Sequence, residues 1–125
     1  MIYGIGTDII EISRIKRSLD INDRFAEKIF TPGEIKYCES RTSKYQSYAV
    51  RFAAKEAVMK ALGTGWDGNI NWKDIEVVND AGGKPKIVTH GQTSALLTER
   101  NLTHIHISLT HEKAYAIAYC VIESA

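Results

Sequence analysis

The fold of this 125-residue chain is decided by one stretch, RFAAKEAVMKALGTG at residues 51–65. It is rich in Ala, the best helix former, and Gly63 is typical of a helix end. We therefore predict a long helix over residues 44–62. Glu56 and Lys60 are four residues apart, so one turn separates them on the same helix face. They form either an exposed ion pair worth roughly 0.2–0.5 kcal/mol or part of a site that holds a metal and a phosphate.

Composition limits the possible classes of protein. The length suits a single domain, residues 1–125, and the 44% hydrophobic and 25% charged residues are typical of soluble globular proteins. No apolar run is long enough for a transmembrane helix, and the N-terminus lacks the layout of a signal peptide, so we expect a cytoplasmic location. Cys38 and Cys120 have no CxxC spacing and are expected to be free thiols.

Hydrophobic periodicity outside the long helix predicts five strands and four shorter helices. The strands cover residues 2–10, 74–78, 84–89, 103–110 and 114–122. The shorter helices cover residues 13–19, 23–30, 31–38 and 92–100, and Thr31 and Glu34 form the capping-box pattern of the third. Ser43 is a candidate cap for the long helix, and residues 63–71 are a predicted loop. The fold class is α+β, with antiparallel strands packed on a long central helix.

Asp8 lies in a run of β-branched apolar residues, GIGTDIIEI at residues 4–12. A carboxylate there is costly unless it is paired, hydrogen-bonded or metal-bound. Gly4 and Gly6 share its strand face and leave room for another backbone or a ligand. Alternatively, the strand ends near Thr7 and Asp8 caps the next helix. If Asp8 meets Glu56, the two carboxylates suit Mg²⁺, which usually takes one or two from the protein.

A third candidate site is HIHISLTH at residues 104–111, where polar and apolar residues alternate strictly. His104, His106, Ser108 and Thr110 share one strand face, which suits hydrogen bonding to a phosphate. The same pattern fits an ordinary half-exposed antiparallel strand. A zinc site at His104 and His106 is a further alternative, although the sequence places no third ligand beside them.

Cations are interleaved with apolar residues between positions 14 and 28. Such a surface could meet an acidic protein, nucleic acid or phosphate, or it could be a solvated helix face diluted by acidic residues. Because no aromatic series or nucleic-acid motif accompanies it, nucleic acid is not an expected partner. The cations of this segment are Arg14, Lys16, Arg17, Arg24 and Lys28.

Four blocks together resemble the bacterial holo-(acyl-carrier-protein) synthase family, the small phosphopantetheinyl transferases. They are GIGTDIIEISRI, RFAAKEAVMKALGTG, GKP and ISLTHEKAYAIA, in the order and spacing of that family. The resemblance spans the whole chain. It implies Mg²⁺-dependent transfer of the 4'-phosphopantetheine arm from coenzyme A to a serine of apo acyl carrier protein. The by-product would be adenosine 3',5'-bisphosphate, and the pathway would be fatty acid biosynthesis.

The resemblance also implies roles for individual residues. Asp8 and Glu56 would be the metal ligands, and Lys60 the cation beside the phosphates. Residues in segments similar to those lining the family's coenzyme A site are Arg51, Lys60, Gly63, Gly65, Lys84, Pro85, His106, Ser108 and Thr110. Of these, Arg51 and His106 are favoured for phosphate contacts. Arg14, Arg17 and Arg24 would meet the acidic recognition helix of the carrier protein.

The family further implies a homotrimer with active sites between subunits. Asp8 and Glu56 would come from one chain, and the final-strand region of a neighbour would help to bind coenzyme A. The reaction would be attack of the serine hydroxyl on the β-phosphorus of coenzyme A. The base remains open among a metal-bound water, Glu56 acting through water, and Asp8.

Two functions from other classes are alternatives. One is a non-catalytic module that binds acidic helices through residues 14–28 and needs neither Mg²⁺ nor Glu56. The other is a different metal-dependent phosphate enzyme, such as a nucleotide hydrolase. The chain contains no P-loop pattern GxxxxGK[ST], which weakens this second alternative.

Overall fold

The structure is a computed structural model that describes residues 1–64 and 71–125. The first half contains one strand and most of the helices. Among its described residues, the second half contains four strands, a short 3₁₀ helix and one α-helix. In chain order the elements are β1 (Ile2–Glu11), α1 (Ile12–Ile21), α2 (Phe25–Ile29), α3 (Pro32–Glu39), α4 (Lys44–Leu62), a short 3₁₀ helix (Trp72–Asp74), β2 (Ile75–Asn79), β3 (Pro85–Thr89), α5 (Gly91–Glu99), β4 (Leu102–His111) and β5 (Tyr115–Ser124).

Two antiparallel sheets frame the long helix α4. The larger sheet has the strand order β1-β5-β4, and the smaller one is the β2-β3 hairpin. α4 packs across the larger sheet, mainly against β1 and β5. The predicted α+β class is therefore confirmed, and the ends of α4 agree with the prediction. The 3₁₀ helix was not predicted, and residues 65–70 of the predicted loop lie outside the described residues.

The backbones of β1 and α4 approach closely, as the two glycines of β1 predict. A Cβ atom added at Gly6 would stand 2.0 Å from the carbonyl oxygen of Ala57, and one at Gly4 would stand 2.1 Å from that of Ala61. Because neither distance allows a side chain, the glycines let α4 lie directly on the strand. Gly63, with a φ of 77°, then ends the helix in the left-handed conformation.

We expect Gly6→Ala to lower the free energy of unfolding by about 1–3 kcal/mol, because the added methyl group must push α4 away from β1. Urea denaturation monitored by circular dichroism would measure the change. Gly82→Ala is a matched control, because a Cβ there would stand 3.4 Å from its nearest neighbour among the described residues, the flexible side chain of Asp80. Equal midpoints for the Gly6→Ala variant and the unmodified protein would contradict the close approach.

The capping box that begins α3 is confirmed. The backbone N–H of Glu34 donates to Thr31 Oγ1 at 3.2 Å, and the N–H of Thr31 donates to Glu34 Oε1 at 2.9 Å. Ser43 occupies the N-cap position of α4, as predicted, but its side chain makes no capping hydrogen bond with the described residues. Cys38 and Cys120 are free and buried, and burial raises the pKa of each thiol to about 12.

The larger sheet has a second face that α4 does not cover. Side chains at odd positions of β1 and β5 point to this face, and several are apolar and exposed. Ile5 is 70% exposed, Ile9 is 60% and Tyr119 is 56%. Registers place Tyr119 between Thr7 of β1 and Ser108 of β4, so the face is continuous across all three strands. None of the helices in the described ranges is long and apolar enough to cross a membrane.

Candidate active site

Asp8 and Glu56 line the same cavity, which has a volume of about 410 Å³. β1 brings Asp8 to it, and α4 brings Glu56. Asp8 lies within β1, opposite Ala118 of β5, and its side chain is 16% exposed. The alternative in which the strand ends and Asp8 caps a helix is therefore wrong. Pairing with β5 continues as far as Glu11, which occupies the N-cap position of α1.

Lys60 supplies positive charge beside Asp8. Its Nζ atom donates to Asp8 Oδ1 at 3.1 Å and to the carbonyl oxygen of Thr7 at 2.9 Å, and its side chain is 53% exposed. Lys60 is therefore paired with Asp8. The alternative of an exposed Glu56–Lys60 pair did not include this contact. A metal is also not the only cation that can offset the two carboxylates.

The two carboxylates fit a hard divalent cation. Mg²⁺ prefers oxygen ligands, usually takes only one or two protein carboxylates, and completes its octahedron with water and substrate oxygens. Asp8 and Glu56 provide that donor set at the wall of an open cavity. In contrast, the described residues contain no group of three or more His, Cys, Asp or Glu side chains placed to hold a metal, so His104 and His106 gain no support as a zinc site.

The cavity also has basic and apolar walls. Arg14 and Arg17 of α1 line it, together with Ile15, Phe25 and Phe52. Arg24 is exposed at the start of α2 and does not belong to the lining. Two of the three arginines assigned to one surface therefore lie directly beside the carboxylates.

Phe52 is half-buried in the cavity wall. Its ring stacks on Trp72 at a centroid distance of 5.0 Å and on Phe25 at 6.4 Å. The sequence does contain a signal for this position. Phe52, Glu56 and Lys60 are spaced by four residues, which places all three on one stripe of α4. Phe52 and Glu56 of that stripe line the cavity, and Lys60, one turn further along, is bonded to Asp8.

Arg51 lies in a different cavity, of about 280 Å³, and is only 4% exposed. Its Nη2 atom donates to Asn79 Oδ1 at 2.7 Å, and its guanidinium lies 4.3 Å from the ring centroid of Tyr37. Among the described residues, its buried Nε–H has no hydrogen-bond partner. An unpaired buried donor is costly, so this arginine is suited to donate a hydrogen bond to an anionic oxygen.

His106 does not line the Arg51 cavity, although the sequence grouped both residues as phosphate contacts. It lines a third cavity, of about 250 Å³, with Lys84 and Pro85. Its Nε2 atom lies 2.5 Å from Glu123 Oε1, and this hydrogen bond lowers the pKa of Glu123. Pro85 lines both cavities, so they are neighbours.

His111 is a residue that the sequence analysis did not assign, and it lines the Arg51 cavity. The alternation along β4 contains the signal, because His111 shares the strand face of Leu109. Ser108 and Thr110 point the opposite way, to the exposed face of the sheet. Within one chain, the sheet thus separates these two hydroxyls from α4 and Glu56. Gly63 ends α4 beside the cavity stripe, whereas Gly65 lies outside the described residues.

Comparisons with known proteins agree with this arrangement. The family model of the 4'-phosphopantetheinyl transferase superfamily matches residues 4–120. A holo-[acyl-carrier-protein] synthase of Geobacter sp. strain M21 is 47% identical over 124 residues, covering 98% of this chain and 99% of the relative. One of Solibacter usitatus is 43% identical and covers 99% and 100% of the two chains.

Solved structures of such synthases have the same fold. That from Neisseria meningitidis has a TM-score of 0.92 at 37% identity and covers 99% of this chain and 100% of the other. That from Bacillus anthracis, in complex with CoA (3',5'-ADP), has a TM-score of 0.83 at 39% identity and covers 100% and 99%. On the match to the family model and these full-length similarities, the chain belongs to the 4'-phosphopantetheinyl transferase superfamily.

Proposed function

We propose that this protein transfers the 4'-phosphopantetheine arm of coenzyme A to a serine of an apo acyl carrier protein. One observation carries the proposal. This chain belongs to the superfamily, and its Asp8 and Glu56 line a single cavity with Arg14 and Arg17. These carboxylates and arginines, with Lys60 bonded to Asp8, suit a pyrophosphate donor that meets an acidic protein acceptor.

In the proposed reaction, the serine hydroxyl gives its proton to a base, its oxygen forms a bond to the β-phosphorus, and the bond from that phosphorus to the bridging oxygen breaks. The bridging oxygen leaves with the electron pair as part of adenosine 3',5'-bisphosphate. Asp8 and Glu56 would hold Mg²⁺, which when bound supplies charge neutralisation to the pyrophosphate oxygens. Lys60 lies beside Asp8 and offsets negative charge that builds on the leaving group.

The Arg51 cavity is the proposed place for a second phosphate group of coenzyme A. Arg51 is held rigidly by Asn79 and Tyr37, so little side-chain entropy is lost when an anion binds. Its unpaired Nε–H supports this role. Lys84 and Pro85, at the neighbouring cavity, and His106, Ser108 and Thr110, along β4, complete the proposed set of contacts.

We further propose a homotrimer with active sites between subunits. Ser108 and Thr110 point away from their own chain's Glu56, toward the exposed apolar face of the sheet. A neighbouring copy packed on that face would cover Ile5, Ile9 and Tyr119 and would place the hydroxyls of Ser108 and Thr110 at the contact between subunits. The site in one chain is therefore incomplete in this proposal.

We expect Ile5→Lys to dissociate the assembly, because the new charge would have to be buried at the subunit contact. Sedimentation velocity would measure the mass of both proteins. The Ile5→Lys variant should have the mass of one chain, and the unmodified protein that of three. Ile21→Lys is the matched control, because Ile21 is 76% exposed at the end of α1, away from the sheet. An Ile5→Lys variant with the unchanged mass would contradict this interface.

The test of the function is intact-mass spectrometry of purified apo acyl carrier protein after incubation with this protein, coenzyme A and Mg²⁺. The expected result is a mass gain of one phosphopantetheine arm that disappears when the metal is chelated. Binding without a mass gain, on any of several apo carriers, would favour the non-catalytic module. Release of phosphate from nucleotides without a protein acceptor would favour the nucleotide hydrolase.

Other parts of the proposal rest on the resemblance more than on the site. They are a single functional domain over residues 1–125, a cytoplasmic location and a role in fatty acid biosynthesis. The free thiols of Cys38 and Cys120 are compatible with a reducing compartment.

A further inference from the structure

An ion pair between Glu34 and Lys55 is completely buried, with both side chains at 0% exposure. Lys55 Nζ donates to Glu34 Oε1 at 2.8 Å and to the carbonyl oxygens of Trp72 and Ile75 at 3.0 and 2.5 Å. Glu34 Oε2 accepts the N–H of Val77 at 2.8 Å. The pair thus ties α4 to the start of α3 and to the segment that leads into β2.

Lys55 immediately precedes Glu56 but points in another direction. Successive residues of a helix are separated by about 100°, so the stripe of Phe52, Glu56 and Lys60 lies to one side of Lys55. Ala57 and Ala61, on the far side of that stripe, pack against the glycines of β1. α4 is therefore fixed on both sides of the stripe that faces the cavity, by the ion pair and by the strand.

A second connection runs through aromatic rings. Lys55 holds the backbone of Trp72, and the ring of Trp72 stacks on Phe52. Phe52 in turn stacks on Phe25, and both rings line the cavity with Glu56. If Trp72 were displaced, Phe52 would lose the stacking contact that holds its ring in the cavity wall. Neither Glu34 nor Lys55 lines the cavity itself.

We infer that Glu34 and Lys55 are positioning residues, which set the rotation of α4 so that Glu56 and Phe52 face the cavity correctly. The inference rests on the proposed function, because it concerns the same cavity. A buried ion pair stabilises a fold no better, as a rule, than apolar residues of the same volume. Apolar residues could not form the three directional hydrogen bonds that Lys55 donates. One goes to Glu34 of α3, and two go to carbonyl oxygens of the segment from Trp72 to Ile75.

The test uses the full chain with the paired substitution Glu34→Gln and Lys55→Met, which removes both charges at nearly constant volume. Mn²⁺ is the probe, because carboxylate sites for Mg²⁺ also accept it, and electron paramagnetic resonance measures the free ion. The expected result is a folded variant whose Kd for Mn²⁺ rises roughly 10-fold, with a similar loss in kcat. The KM for the carrier protein should stay constant, since Arg14 and Arg17 are unchanged.

Tyr48→Phe is the matched control. It removes another contact of α4, the 2.8 Å hydrogen bond from the buried Tyr48 to Glu39, which does not reach the cavity. The control should lower the melting temperature while leaving the Kd for Mn²⁺ unchanged. If the paired variant behaves like this control, the positioning role is overturned.

If the paired variant does not fold, Lys55→Arg gives the comparison, because it keeps the buried positive charge beside Glu34 but changes the geometry of the bonds to Trp72 and Ile75. A weaker Kd for Mn²⁺ then supports the inference, and an unchanged Kd overturns it. The Mn²⁺ measurement requires neither coenzyme A nor carrier protein. A wild-type chain that binds Mn²⁺ but modifies no carrier would therefore overturn the proposed function while still testing the ion pair.

Discussion

Replacing Glu56 with Gln is expected to reduce phosphopantetheine transfer by roughly 1,000-fold or more. The amide keeps the size of the side chain but removes one of the two negative charges that Asp8 and Glu56 offer to a divalent cation. It also removes a candidate base. Because Glu56 is half-buried at a cavity wall rather than in the core, the fold should persist.

Time courses of carrier-protein mass would measure this loss, with melting temperature recorded for each variant. Glu99→Gln is a matched control, because Glu99 is exposed at the end of α5 and does not line the carboxylate cavity. The Glu56→Gln variant should also lose Mn²⁺ binding, which separates a metal ligand from a base that acts through water. Near-normal turnover in the folded variant would remove Glu56 from the mechanism.

The secondary structure could be predicted because its signals are local. Thr31 and Glu34 mark the start of α3 within four residues, and Gly63 marks the end of α4. The alternation in β4 likewise identifies its two faces from neighbouring positions. Such signals act through backbone conformation and side chains a few residues apart, so they need no knowledge of the tertiary fold.

The meeting of Asp8 and Glu56 was only partly predictable. Gly4 and Gly6 indicated that some backbone approaches β1, and the alanines of α4 are the complementary small surface. The sequence did not identify α4 as that backbone, because helix and strand are brought together by packing across many intervening residues. The family resemblance supplied the pairing, and the structure shows the shared cavity.

The distribution of the proposed phosphate contacts could not be predicted at all. Arg51 and His106 are both basic residues, and the resemblance favours both for phosphate contacts, yet they line separate cavities. Arg51 is directed by Asn79, which belongs to a hairpin whose position depends on the tertiary fold. In the same way, the bond from Lys60 to Asp8 joins residues that only the packing of α4 on β1 brings together.

The second large effect that we expect concerns docking of the carrier protein on the basic wall of the cavity. Arg14 and Arg17 are exposed on α1, and they line the same cavity as Glu56. An acidic carrier protein docked on these arginines would present its serine close to the carboxylates. Phe25, which is only partly buried in the same cavity wall, would contact the carrier's less polar surface. Electrostatic attraction of this kind acts mainly on encounter and orientation.

We therefore expect the double charge reversal Arg14→Glu and Arg17→Glu to raise the KM for the carrier protein roughly 30-fold or more at low salt. The KM for coenzyme A should remain nearly constant, because Arg51 and Lys84 are untouched. Steady-state kinetics at several salt concentrations would measure both constants. Salt should weaken carrier binding by the unmodified protein and affect the variant much less, since screening acts on an attraction that the variant has lost.

The matched control reverses two other exposed cations, Lys36 of α3 and Lys113 of the β4-β5 turn, neither of which lines the carboxylate cavity. Both double variants carry the same net charge, so a difference between them depends on where the charges lie. An unchanged KM for the carrier in the arginine variant would contradict this docking surface. So would a loss confined to coenzyme A affinity, because Arg14 and Arg17 would then serve the donor and not the acceptor.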